Sequence, residues 1–235
     1  MNSIPLYVPI VFVLTTFAAI GYLLYAARQT WKNPSSLKYL LVGGACWIVL
    51  QAILSLFGFY ENATSVPPRV FLFGVFPAVL LILALLIVFG RTFVDRLPLS
   101  TLTILHVVRI PVELVLLWLS IGGQIPTLMT LEGRNFDIVS GVLAPLVYFL
   151  CFRGAEIRPR LLIAYNILGL LLLSNVVLIA AFSVPSPIQK IAFEQPNLAV
   201  SYFPYIWLPT VVVPIVLFAH LASLRKLFSG NFSPA

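Results

Sequence analysis

The chain has 235 residues, of which 61% are hydrophobic and 9% charged, and its formal net charge is +7. Soluble domains carry roughly a quarter charged residues, so this composition excludes a water-covered globule and points to a polytopic protein covered by lipid. The basic residues are scattered between apolar runs, which excludes a nucleic-acid-binding patch and matches the way topology signals are distributed.

Seven apolar runs reach spanning length, about twenty residues for a hydrocarbon core of ~30 Å. They cover residues 4–27, 37–60, 70–90, 102–121, 136–152, 161–182 and 202–224. The expected fold is all-α, a single domain over 1–235 that bundles seven transmembrane helices. The first run begins close to Met1, lacks a basic residue before it and exceeds a signal-peptide core in length, so it reads as a span. The breaks between runs are rich in turn formers and charges, and none is long enough for a separate soluble domain.

With seven spans, Arg28, Lys32, Lys38, Arg91, Arg96, Arg153, Arg158, Arg160, Arg225 and Lys226 fall on one side, against Arg69, Arg134 and Lys190 on the other. This bias predicts an outside N-terminus and a cytoplasmic C-terminus, in the plasma or inner membrane of a cell. Trp118 and Trp207 are expected at the outer interface. Prolines recur inside the runs (Pro9, Pro77, Pro111, Pro145, Pro209, Pro214), and each frees a carbonyl that another donor must satisfy. Two of them in the last run predict a bend there.

The fourth run contains "HVVRIPVELVLLWL", which carries His106, Arg109 and Glu113. Together with Ser120 these side chains share about a 60° arc at ~100° per residue. A charged residue at mid-span costs roughly 2.5–3.5 kcal/mol on insertion scales, so the stripe must face the bundle interior or a wet cavity. Arg109 and Glu113, four residues apart, are expected to pair along the helix. Pro111 frees the carbonyl of Val107, within expected reach of His106 or Arg109. The functional reading makes Glu113 a proton or cation acceptor whose charge Arg109 tunes. The alternative is a polar clasp that fixes helix packing and nothing more, although buried ion pairs are a weak source of net stability.

His220, in the last run, is expected at nearly the depth of His106, which would allow the pair to ligate a b-type haem. A histidine capping a helix end is the plainer reading. No other cofactor is indicated: zinc lacks a third ligand, and no lysine stands mid-helix in the last run to carry retinal. GxSxG, HExxH and phosphate-binding glycine loops are absent from the sequence. Cys46 and Cys151 form no metal-type spacing.

The loop before the fifth run concentrates Glu132, Arg134, Asn135 and Asp137. It reads either as a solvated turn with Asn135 capping the next helix or as an outer vestibule above Glu113. On the fifth run, Asp137, Ser140, Gly141, Ala144 and Tyr148 share a face whose small middle members invite close helix packing. Asn166 and Asn175 fall on opposite faces of the sixth run, so at most one joins any single site. Asn62-Ala63-Thr64 matches a glycosylation triplet on the predicted outer side.

The function expected first is an integral membrane protein that binds, transports or senses a small molecule or ion at His106, Arg109, Glu113 and His220, with the lipid bilayer as its surroundings. Enzymatic activity is the less expected outcome. The alternatives are a haem redox protein, a membrane-embedded enzyme with Glu113 as general base, and an assembly subunit.

Overall fold

A computed structural model describes residues 4–30, 34–154 and 157–229. Lys32, one of the topology-setting cations, lies outside them. The described residues form helices and no strands. Eight α-helices follow in order: α1 (Tyr7–Thr30), α2 (Pro34–Leu56), α3 (Phe76–Val88), α4 (Leu99–Leu105), α5 (Arg109–Ile121), α6 (Ile138–Phe152), α7 (Pro159–Ser183) and α8 (Val213–Phe228). Six stretches are long and apolar enough to cross a membrane, namely α1, Leu37–Leu56, Phe71–Val88, Leu99–Ile121, α7 and Leu208–Phe228. The six make the chain consistent with a multi-pass membrane protein.

Expected and observed boundaries differ where a local backbone feature intervenes. The second run stops as helix at Leu56, and Gly58 then takes φ 68°, a conformation glycine adopts without strain. The fifth run yields only the 15 residues of α6, about 22 Å at ~1.5 Å per residue. Its expected first turn is replaced by a side-chain turn in which Asn135 Oδ1 accepts the Asp137 amide at 2.9 Å. The last run is helical only from Leu208.

The molecule is apolar outside. Phe57, Tyr39 and Ile87 are 85%, 78% and 77% exposed, an outer surface suited to lipid and not to water. Several polar side chains point inward, and α2 shows why. Trp47, Gln51 and Ser55 recur every fourth residue, so they share one face. Each donates to a carbonyl on another segment: Trp47 Nε1 to Thr210 O at 2.9 Å, Gln51 Nε2 to Phe73 O at 3.2 Å, and Ser55 Oγ to Ser201 O at 2.8 Å.

Two of those acceptors are orphans made by proline. Pro77 has no N–H for the carbonyl of Phe73, four residues back, and Pro214 has none for Thr210. Both prolines follow a π-helical turn, Phe71–Val75 and Leu208–Val212, closed by Phe76 N–H to Phe71 O and Val213 N–H to Leu208 O. The two turns pack together at Gly74, where a Cβ would lie 2.6 Å from Thr210 Cγ2. Trp47→Phe therefore leaves a buried carbonyl unmet and should cost about 1–3 kcal/mol. In a Pro214→Ala background, where the amide donor returns, the same change should cost at least twofold less, as read from unfolding midpoints in micelles.

At one end of the bundle two loops, residues 122–137 and 184–207, fold back into the interior. Leu198 and Ala199 amides donate to Gln124 O at 2.9 and 3.1 Å, and Gln195 Nε2 donates to Ser120 O at 2.9 Å. Trp207 belongs to this buried region: it is 6% exposed and its indole donates to Ile48 O at 3.1 Å. Trp118 stands edge-on to Tyr7, 5.0 Å between ring centroids. At the opposite end Arg225 pairs with Asp95 at 2.9 Å and Lys226 Nζ donates to Leu97 O at 2.7 Å.

Candidate functional site

The fourth run is not one continuous α-helix. A 3₁₀ turn, His106–Val108, joins α4 to α5 just ahead of Pro111. The tighter turn changes the angular offset between His106 and Arg109, yet His106, Arg109 and Glu113 are all buried. Ser120 leaves the stripe altogether: it is partly exposed and bonds Thr127 Oγ1 at 3.4 Å.

Arg109 pairs with Asp137 of the loop before α6, and the expected intrahelical pair with Glu113 does not form. The pairing is bidentate, with Nε donating to Oδ2 at 2.7 Å and Nη2 to Oδ1. Nη1 donates to Ser140 Oγ at 2.8 Å and to His220 Nε2 at 3.0 Å, while Nη2 also donates to Gly169 O at 3.2 Å. A guanidinium has five N–H donors, and these contacts engage all of them. Neither Arg109 nor His106 reaches the Val107 carbonyl, because the guanidinium is saturated elsewhere and both His106 nitrogens lack a partner.

The contacts lie at one level because the helices start in step. Arg109 stands ten residues into the Leu99–Ile121 stretch, Gly169 ten residues into α7, and His220 eight residues before the end of α8, or about 12–15 Å at ~1.5 Å per residue. The short α6 begins at that same level, which brings Asp137 into the layer. Gly141 and Ala144 make the approach possible: a Cβ on Gly141 would sit 3.0 Å from Ile110 Cγ1 and 3.2 Å from Arg109 Cβ. Tyr148, expected on the same face, is 41% exposed and stands outside the contact.

Acceptance from Arg109 fixes the His220 tautomer. With Nε2 as acceptor, the proton sits on Nδ1 and is donated to Asn166 Oδ1 at 2.9 Å. Asn166 in turn donates to Leu162 O at 2.8 Å. His106 stacks face to face on His220, ring centroids 3.7 Å apart and 14° from parallel. This arrangement does not fit a haem. Axial ligands must aim a free nitrogen at an iron between them, whereas here the ring faces touch and both His220 nitrogens are engaged. Among the described residues, no group of three or more His, Cys, Asp or Glu is placed to hold a metal.

Glu113 is buried one step away. Its Oε2 accepts from Asn135 Nδ2 at 2.7 Å, and Oε1 has no partner. Asn135 also donates to Met129 O at 3.0 Å, so it links Glu113 to the Arg109–Asp137 pair through the Asp137 amide. The loop thus divides. Asn135 and Asp137 are 0% and 8% exposed and belong to the interior, whereas Glu132 and Arg134 are exposed. The two asparagines of α7 divide likewise, Asn166 in the layer and Asn175 donating to Arg134 O at 2.7 Å.

Beside the layer lies a cavity of about 100 Å³. Its wall is almost wholly apolar, formed by side chains such as Val112, Leu116, Leu173 and Val176, with Asn135, Asp137 and Asn197 as the polar exceptions. Glu113 is not among the lining residues. Asn197 is fully buried, and its Oδ1 has no donor. Nothing in the sequence singles out Asn197, Ser140 or Gly169 as partners, because they meet Arg109 or the cavity only through tertiary packing.

These features define a class: an apolar helical protein with membrane-spanning character, a buried ion-paired layer and an apolar cavity beside it. Residues 66–228 match the family described as a domain of unknown function, DUF8737, and the chain belongs to that family. The match contains α3 to α8, and with them every member of the buried layer. No curated protein and no solved structure matches the chain.

Proposed function

We propose that this is an integral membrane protein of seven spans, N-terminus outside, that binds a small and mainly apolar molecule in the cavity beside Asp137. The short α6 serves as the fifth span, its deficit made up by the re-entrant loop 122–137. The distribution of Arg and Lys supports this orientation. In this reading His106, Arg109, Glu113 and His220 form the floor that positions Asp137 and Asn135, and the ligand contacts the latter two.

The observation that carries the reading is the cavity itself, about 100 Å³ of apolar-walled space with a buried unpaired Asn197 oxygen in its lining. Apolar-walled space left empty forfeits dispersion contacts, so an apolar occupant stabilises the protein that holds it. Benzene and toluene should therefore raise the thermal midpoint of the purified protein in a saturable way, by mass action. Val176→Phe, which fills the cavity from α7, should abolish that response. If no apolar fragment shifts the wild-type midpoint, or if the shift survives in Val176→Phe, cavity binding is refuted.

A further inference from the structure

The nature of the occupant and its route follow from which groups line the cavity and which sides of it are open. This inference rests on the cavity binding proposed above. Toward the nearer end of the bundle, loop 184–207 is fastened down by the Leu198 and Ala199 bonds to loop 122–137, by the Gln195 bond to Ser120 O of α5 and by Asn197 N–H to Ser183 O at 2.8 Å. Toward the side the wall is thinner. Phe71 and Val75 on one edge, and Val177 and Ala181 on the other, line the cavity yet are partly exposed. The first edge belongs to the π turn Phe71–Val75 that leads into α3, the second to α7, and α3 and α7 each pack on α8. The outer surface beside these two edges is apolar, with Leu72, Phe73 and Leu178 exposed.

Among the described residues, the buried polar atom of the lining that lacks a partner is an acceptor, Asn197 Oδ1. Asp137 retains free lone pairs on a carboxylate whose charge Arg109 already matches. Asn197 Oδ1 is buried without a donor, and its Nδ2 is engaged with Ala180 O. Both Asn135 amide hydrogens go to Glu113 and Met129. A carboxylate or phosphate finds only the second Asn197 Nδ2 hydrogen and no unmatched cation to hold its charge, and an ammonium finds no unmatched charge on the lining. A neutral hydroxyl supplies what is missing.

We propose that the cavity takes a lipid-phase alcohol, which enters sideways between α3 and α7 and donates its hydroxyl to Asn197 Oδ1. The probe is an octanol bearing a chain diazirine, photolysed with the full-length protein in phosphatidylcholine nanodiscs and mapped by mass spectrometry. Labels should fall on residues 173–184 and 208–213, and plain octanol should compete. Methyl octyl ether, octanoate and octylamine should each compete about tenfold less well, the scale of one hydrogen bond. Asn197→Leu should weaken labelling to a similar degree, and Ala181→Trp should close the gap and abolish it.

Equal competition by the ether, or stronger competition by the acid or amine, overturns the hydroxyl assignment without needing any variant. Wild-type labelling of Ala181→Trp overturns the lateral route. In each of these cases labelled cavity peptides still uphold cavity binding. Absence of label from those peptides with every probe removes both proposals.

Discussion

Arg109→Leu should destabilise the protein by roughly 3–5 kcal/mol, because it strands the Asp137 carboxylate in a buried site. Asp137→Leu should cost a similar amount for the mirror reason, leaving a guanidinium that is 2% exposed without its counter-ion. The double variant should be far milder than the sum, since two apolar side chains leave no unmatched charge. The coupling energy should be among the largest in the molecule, measurable by sodium dodecyl sulfate or thermal unfolding in mixed micelles. The corresponding cycle with Glu113→Leu tests the alternative pairing along the helix. Arg109 and Glu113 share no hydrogen bond and communicate only through Asn135 and the Asp137 amide. Their coupling should therefore be clearly smaller, and a larger coupling with Glu113 than with Asp137 would contradict the observed pairing.

That contrast also shows what one sequence makes legible. The apolar runs, their approximate limits and the need for an inward-facing polar group in the fourth run follow from hydropathy and the cost of charge in hydrocarbon. The histidine pair was legible as a coincidence of depth on two helices. The partner of Arg109 was not, because an i,i+4 rule sees only one helix, while Asp137 arrives through a tertiary event: α6 starts level with Arg109, partway along its neighbours. The signal for it existed in the shortness of that run and the charge-dense segment ahead of it. Similarly, the prolines announced orphan carbonyls, but only packing selects Trp47 and Gln51 as their donors. The haem reading failed on geometry that depth cannot supply, since stacked rings and end-on ligands have the same height along the helices.

The glycines offer an independent measure of how tightly this layer is built. A Cβ added at Gly169 would overlap His220 Cε1, lie 2.5 Å from its Nε2 and come within 3.0 Å of Ser140 Oγ. His220 has no room to retreat, being stacked on His106 and held by Asn166. Gly169→Ala should then push the imidazole off Arg109 Nη1, combining overpacking of about 1–3 kcal/mol with a lost hydrogen bond to a charged donor of about 1.5–3 kcal/mol. Gly141→Ala meets its neighbours at 3.0–3.2 Å and should cost less. At Gly44, with nothing within 4 Å, alanine should be neutral or stabilise by up to ~1 kcal/mol, the helix-propensity difference. The order Gly169, Gly141, Gly44 in unfolding midpoints is the expected result. If Gly169→Ala is as harmless as Gly44→Ala, the imidazole is not held where the Arg109 network requires it. Without that hold the guanidinium has one donor unmet, and the layer beside the cavity loses one of the contacts that fix Arg109.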